Sequence, residues 1–160
     1  MTKVTGFPPY YNEGAKLLIL GSFPSVKSRA QNFYYGNPQN AFWRILSSFF
    51  GEPEPKTVDG KKNFLAVHNI ALWDIVTECE IVGSQDSTIK NFQVADLSIL
   101  LKKLNLEYII LNGGTAAKIF SKRYKDLSVP SIKLPSTSPA NTRQKDKEWF
   151  DALSRVFGRN

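Results

Sequence analysis

LLILGSFPS, Leu17 to Ser25, decides the fold, and FYYGNPQNAFWRIL, Phe33 to Leu46, follows it closely enough to share its surroundings. The apolar run from Leu17 to Leu20 is short, unbroken and closed by Gly21, which predicts a parallel strand buried on both faces. The loop beyond it is packed with aromatic, amide and small residues, the materials of a pocket for a flat ring with polar edges. In sheets of this kind ligands sit outside the carboxyl ends of the strands. Four other segments fall at the same kind of strand exit: HNIALWD (His68 to Asp74), LNGG (Leu111 to Gly114), LPSTSPAN (Leu134 to Asn141) and the turn carrying Asn37 and Asn40. A single site fed by all of them is the economical reading.

Outward from this stretch, Phe42, Ile45, Leu46 and Phe49 recur at helical spacing and predict a helix that begins near Asn40, a good cap. Gly51 to Asn63 is rich in turn formers and charge and reads as an exposed connection. Phe64 to Asn69 is expected as the second strand, and Ala71 to Glu80 as the start of a helical or irregular segment. After the polar loop GSQDSTIKN, a helix is expected around Ala95 to Lys103, with Leu97, Leu100, Leu101 and Leu104 as a core stripe. Tyr108 to Leu111 and Ser131 to Leu134 read as the third and fourth strands, with a helix over Gly114 to Tyr124 between them. The last helix runs from about Lys145 to Phe157 and buries Trp149, Phe150, Leu153, Val156 and Phe157. Alternation of strand and helix predicts an α/β fold: a three-layer α/β/α sandwich, one domain over residues 1–160, with a mainly parallel four-stranded central sheet.

The chain has 160 residues, 42% of them hydrophobic, enough to bury a real core. No apolar run approaches the ~20 residues needed to cross a bilayer, and the first residues lack the apolar centre of a secretion signal. The expected location is the cytoplasm, or wherever intracellular DNA resides, and the expected state a monomer. Cys79 is the single cysteine and His68 the single histidine, so an internal disulfide and Cys/His zinc sites are excluded. The sequence TECE around Cys79 reads as a buried helix position. The fourteen carboxylates are scattered without an obvious metal spacing, which disfavours metal-dependent nuclease chemistry. Twenty-one Lys and Arg leave a net charge of +7, which favours a polyanionic partner. Lys118, Lys122, Arg123 and Lys125 cluster on one predicted helix, and Arg143, Lys145 and Lys147 follow the Ser/Thr loop; both groups also suit solvated helix faces.

GSFPS at the first strand exit, FYYGNPQNAFW after it, LNGG at the third and LPSTSPAN at the fourth together resemble the uracil-DNA glycosylase superfamily over nearly the whole chain. NPQNAFWRIL is similar to the HPANRFW-type segment of the mismatch-specific branch, and LPSTSPAN takes the place of the NPSGLS-type loop. With HNIALWD and GSQDS added, the set most resembles the hypoxanthine-DNA (DNA-deoxyinosine) glycosylases. Two departures stand out. Phe23 replaces the water-positioning Asn of a GINPG loop, and Leu134 replaces the His that uracil enzymes place before Pro-Ser.

The resemblance implies a monofunctional glycosylase that extrudes a deaminated base from DNA and hydrolyses its N-glycosidic bond without metal or organic cofactor. Asn40 is then the catalytic candidate, holding water through its side-chain carbonyl; as a sequence feature it equally suits a helix cap. The base pocket falls to Ser22, Phe23, Tyr35, Phe42, Asn112 and Gly113. Asn112 offers a donor and an acceptor to a cyclic amide edge, though it also suits a turn before Gly113. Phe23 and Tyr35 are the expected stacking walls. DNA contacts fall to Ser25, Pro135, Ser136, Thr137, Ser138, Asn141 and Arg143, whose hydroxyls and amides suit phosphates. A uracil or mismatch-specific sibling, a catalytically silent nucleic-acid-binding relative and a nucleoside hydrolase stay open as alternatives.

Overall fold

A computed structural model of the chain describes residues 3–158. In chain order the elements are β1 (Lys3–Thr5), β2 (Leu17–Gly21), α1 (Val26–Gln31), α2 (Phe42–Phe50), α3 (Val58–His68), β3 (Ile70–Asp74) and β4 (Val76–Glu80). They continue with β5 (Lys90–Val94), α4 (Ser98–Lys103), β6 (Tyr108–Asn112), α5 (Gly114–Arg123), β7 (Ser131–Leu134) and α6 (Asp146–Phe157). A short 3-10 turn, Asp86–Thr88, precedes β5.

β2 is buried along its whole length and lies inside a four-stranded parallel sheet of order β3-β2-β6-β7. A strand with no wet face must be apolar at every position, which is why LLILG shows a continuous run rather than alternation. The chain first steps from β2 to β3 on one side, then to β6 and β7 on the other. Parallel crossovers are right-handed, so this reversal sends successive helices to opposite faces and opens a crevice at the carboxyl end of β2. α6 returns against α2 and β7, where the rings of Phe42 and Trp149 meet edge to face at 6.2 Å. The buried side chains form one continuous cluster reaching from Ala15 to Leu153. Among the described residues no helix is long and apolar enough to cross a membrane.

Two expectations need correction. Phe64 to Asn69 is not a strand but the end of α3, and β3 begins one residue later. The helix is started by Thr57, whose hydroxyl accepts the Gly60 N–H at 3.0 Å, and stopped by Asn69 in the left-handed conformation. Its apolar residues fit a one-sided helix: Phe64 and Leu65 are buried while Val67 is 62% exposed. Gly51 to Asn63 is therefore an exposed connection only in its first half.

Ala71 to Glu80 is not helical but forms β3 and β4. β4 pairs antiparallel with β1 and β5 in a second, three-stranded sheet. Cys79 thus lies buried on a strand, where burial raises its thiol and keeps it inert. Register shifts between Val76 and Glu80 break the alternation by which such a strand would be recognised.

Phe42 is wholly buried between Tyr35, Trp43 and Trp149. Truncation to Ala leaves a cavity at the joint between α2 and α6, and Phe42→Ala is expected to cost about 3–5 kcal/mol in urea unfolding.

Candidate functional site

The crevice at the end of β2 is floored by three strand termini at one level. Gly21 lies opposite Asp74 in register, and Leu20, one residue earlier, lies opposite Leu111, the neighbour of Asn112. Gly21 permits a close approach that no other residue would. A Cβ there would lie 2.6 Å from Asp74 Oδ1 and 3.0 Å from the Tyr35 hydroxyl. Both oxygens therefore lean over the same point of the backbone.

Tyr35 reaches this point from the aromatic loop with a left-handed backbone, φ 53°. Such a conformation in a bulky residue costs on the order of 1–3 kcal/mol and persists only where the surroundings impose it. Here its ring stacks on Phe42 at 4.0 Å, the Trp43 indole N–H donates to its carbonyl at 3.2 Å, and the next amide, of Gly36, donates to Ser28 Oγ at 2.9 Å.

Asp74 is 4% exposed, with no cation among the causes that act on its charge. Burial, helped by the negative field of Asp86, pushes its carboxyl up to about 8, so it is a neutral acid at pH 7. Asp86, from the 3-10 turn, accepts a 2.6 Å hydrogen bond from Ser22 Oγ; burial raises this carboxyl too, and Ser22 works in the opposite direction. Burial and then Asp74 raise the Tyr35 hydroxyl, while the nearby Asn112 carboxamide, out of hydrogen-bond geometry with it, acts oppositely. Asp74 Oδ2 and the Tyr35 hydroxyl are both buried without a hydrogen-bond partner. Each such group costs on the order of 1–3 kcal/mol.

Asn112 is held on both atoms of its amide by one residue. Its Nδ2 donates to Thr137 Oγ1 and its Oδ1 accepts the Thr137 N–H, both at 3.0 Å. One N–H and one lone pair of the carboxamide are left over. Gly113 follows with φ 100°, and a Cβ there would lie 3.1 Å from Ser136 Cβ, so the β6 exit and the last loop press together. The Thr137 carbonyl in turn accepts the Ala41 N–H at 2.9 Å, joining the loop to the start of α2.

The profile of the Uracil DNA glycosylase superfamily matches residues 8–157. A Methanosarcina acetivorans protein named hypoxanthine DNA glycosylase is 36% identical over 149 residues, which are 90% of this chain and 94% of its own. One of the same name from Methanosarcina barkeri is 32% identical over 158 residues, 96% and 99% of the two chains. The solution NMR structure of a candidate uracil DNA glycosylase from Methanosarcina acetivorans superposes with a TM-score of 0.85 at 31% identity, over 98% and 99% of the two chains. The chain belongs to the uracil DNA glycosylase superfamily.

Of the residues that the superfamily resemblance singles out, Ser22, Tyr35, Asn112 and Gly113 gather at the crevice. Phe42 is the buried support behind Tyr35. Phe23 is 8% exposed, between Gly6 and the Arg29 guanidinium that lies 5.7 Å from its ring centre. Asn40 lines a neighbouring cleft with Arg44, Asn141 and Arg143. The cap of α2 is Ala41 rather than Asn40, whose Oδ1 accepts the Phe42 N–H at 2.9 Å from one residue earlier, so its side chain is oriented by the start of the helix. Asn112 is tied through Thr137 to Ala41, the neighbour of Asn40, and not to Asn40 itself.

Ser25 caps α1 by accepting the Ser28 N–H at 3.1 Å. Pro135 is buried with its carbonyl bonded to the Trp149 indole at 2.9 Å, and Thr137 is 1% exposed. Ser136, Ser138 and Asn141 bond to one another and to the loop backbone, and Arg143 pairs with Glu148. Lys145 reaches back to the Asn141 carbonyl at 2.5 Å and is a staple of the loop. His68 stacks on Phe50 at 3.7 Å and bonds Glu52, at the opposite ends of the strands.

Asp74 and Asp86 are not among the residues that the superfamily resemblance singles out; the one local mark of Asp74 is that an acid ends the apolar strand of HNIALWD, in register with Gly21.

The acid has a consequence for stability. In the unfolded chain Asp74 loses its proton near its ordinary value of 3.8, whereas in the folded protein it holds it to about 8. Between these limits the folded state binds the extra proton, so stability falls as pH rises. Asp74→Asn removes this dependence. Relative to wild type, the variant is expected to gain little near pH 4 and about 1.4 kcal/mol per pH unit above it until pH 8, by urea unfolding across that range.

Proposed function

We propose that the protein is a monofunctional DNA glycosylase that extrudes hypoxanthine from DNA and hydrolyses its N-glycosidic bond, leaving an abasic site. The observation that carries this reading is near full-length similarity to two proteins named hypoxanthine DNA glycosylase, over 90% and 96% of this chain.

Hydrolysis separates an oxocarbenium-like sugar from a departing base while water attacks the anomeric carbon. Asn40 is suited to hold that water: Phe42 takes one lone pair of its Oδ1 and fixes the carbonyl, leaving the second lone pair for a water proton. A preoriented group incurs no reorganisation at the moment of reaction. Asn112 is suited to donate its remaining N–H to a base carbonyl, with the other half of its amide locked by Thr137. Tyr35 supplies an aromatic wall that stacking on Phe42 holds in place. The cleft beside Asn40, with Arg44 and Arg143 in its lining, suits a passing phosphate backbone. DNA affinity should then fall with salt at a slope of about −0.9 per phosphate contact on logarithmic axes.

Name similarity to a candidate uracil DNA glycosylase favours uracil as the rival base. Duplexes carrying a single hypoxanthine, uracil or xanthine decide between them, read by free base released and by strand breakage with and without alkali. Hypoxanthine release with breakage only in alkali is the expected result; uracil release without hypoxanthine release overturns the assignment. In the same assay Asn40→Ala is expected to slow excision by on the order of 10²–10³ while leaving duplex binding intact.

A further inference from the structure

We propose that Asp74 is the acid that gives a proton to the purine as it leaves the sugar, with the Tyr35 hydroxyl beside it as a second donor to the same base. The proposal rests on the glycosylase reading above and names the group that handles the leaving base.

Three observations meet at one point. Asp74 Oδ1 and the Tyr35 hydroxyl converge over Gly21, where even a methyl group would collide with the carboxyl. Asp74 Oδ2 and the Tyr35 hydroxyl are buried with no hydrogen-bond partner in the protein, so two polar atoms at the carboxyl end of the sheet await one from outside it. The point lies where ligands of doubly wound sheets bind, beside Asn112. The titratable groups facing Asp74 are Asp86 from the 3-10 turn and Tyr34 and Tyr35 from the aromatic loop. Burial first, and then the charge of Asp86, hold the carboxyl neutral near the working pH, the form in which it donates and the range in which an acid catalyst is most effective.

The chemistry balances. As the C1′–N9 bond breaks, its electron pair passes into the purine, and a ring nitrogen of that purine takes the Asp74 proton. The base departs neutral and Asp74 remains as carboxylate. Water adds its oxygen to C1′ and gives up one proton, and solvent returns a proton to Asp74. Uracil attached through N1 has no unsubstituted ring nitrogen to accept that proton and departs as an anion, so it gains less from such a donor.

The test is single-turnover release of hypoxanthine from duplex DNA between pH 6 and 9.5, for wild type, Asp74→Asn, Tyr35→Phe and Asp86→Asn, each checked for folding by circular dichroism. The wild-type rate is expected to fall tenfold per pH unit above about pH 8. Asp74→Asn is expected to be slower by on the order of 10²–10⁴ below that limb and to show no limb. Tyr35→Phe should be slower but keep the limb. Asp86→Asn should move the limb to lower pH, because the charge that raises Asp74 is gone. This variant reads the same acid should Asp74→Asn fail to fold.

An active wild type with no alkaline limb overturns the proposal alone. So does an Asp74→Asn variant within threefold of wild type, or an Asp86→Asn variant whose limb does not move. A wild type that releases no base from any lesion overturns the glycosylase reading and the proposal with it.

Discussion

Burial of β2 on both faces is the constraint from which the rest follows. A strand with no access to water admits no polar side chain until it ends, and the same holds for most of its neighbours β3 and β6. Chemistry is therefore pushed to the carboxyl rim, where the first polar side chains after the apolar runs are Asp74 and Asn112. The parallel pairing fixes their height, and the reversal of winding direction beside β2 keeps helices away from the space above them.

A second layer of constraint governs what leans over that rim. The aromatic segment Phe33 to Tyr35 does not pack as a simple cover; it is bent so that one ring points back over the sheet. Trp43 grips the backbone of the bend through its indole N–H, and Phe42 presses on the ring itself. Consecutive residues of α2 thus hold one strained tyrosine, and Asn40 just before them is aimed by the same helix start. The elements that build the core and those that build the crevice are the same residues used from two sides.

How far the sequence disclosed this depends on whether a local pattern was decisive. Leu17 to Leu20, Tyr108 to Leu111 and Ser131 to Leu134 have unbroken apolar runs or clear boundaries, and all three strands lie where the runs put them. Phe64 to Val67 has the same composition but belongs to a helix, because Thr57 and Asn69 set its ends from outside the apolar run. The sheet of β1, β4 and β5 has no such pattern to read: β5 is exposed nearly throughout and β4 is irregular in register, so its pairing is a tertiary outcome. At the crevice, Asn112, Tyr35 and Ser22 were legible from the family-like segments. The partnership of Asn112 with Thr137 and the neutral state of Asp74 were not, since both arise from neighbours 25 and 12 residues away or more.

The Trp149 indole, bonded to the Pro135 carbonyl, ties α6 to the last loop. That loop holds Asn112 and the start of α2 through Thr137. The final helix is therefore the keystone of the crevice as well as a flank of the core: loosening α6 from the last loop would loosen the anchorage of Asn112 and of the start of α2 with it.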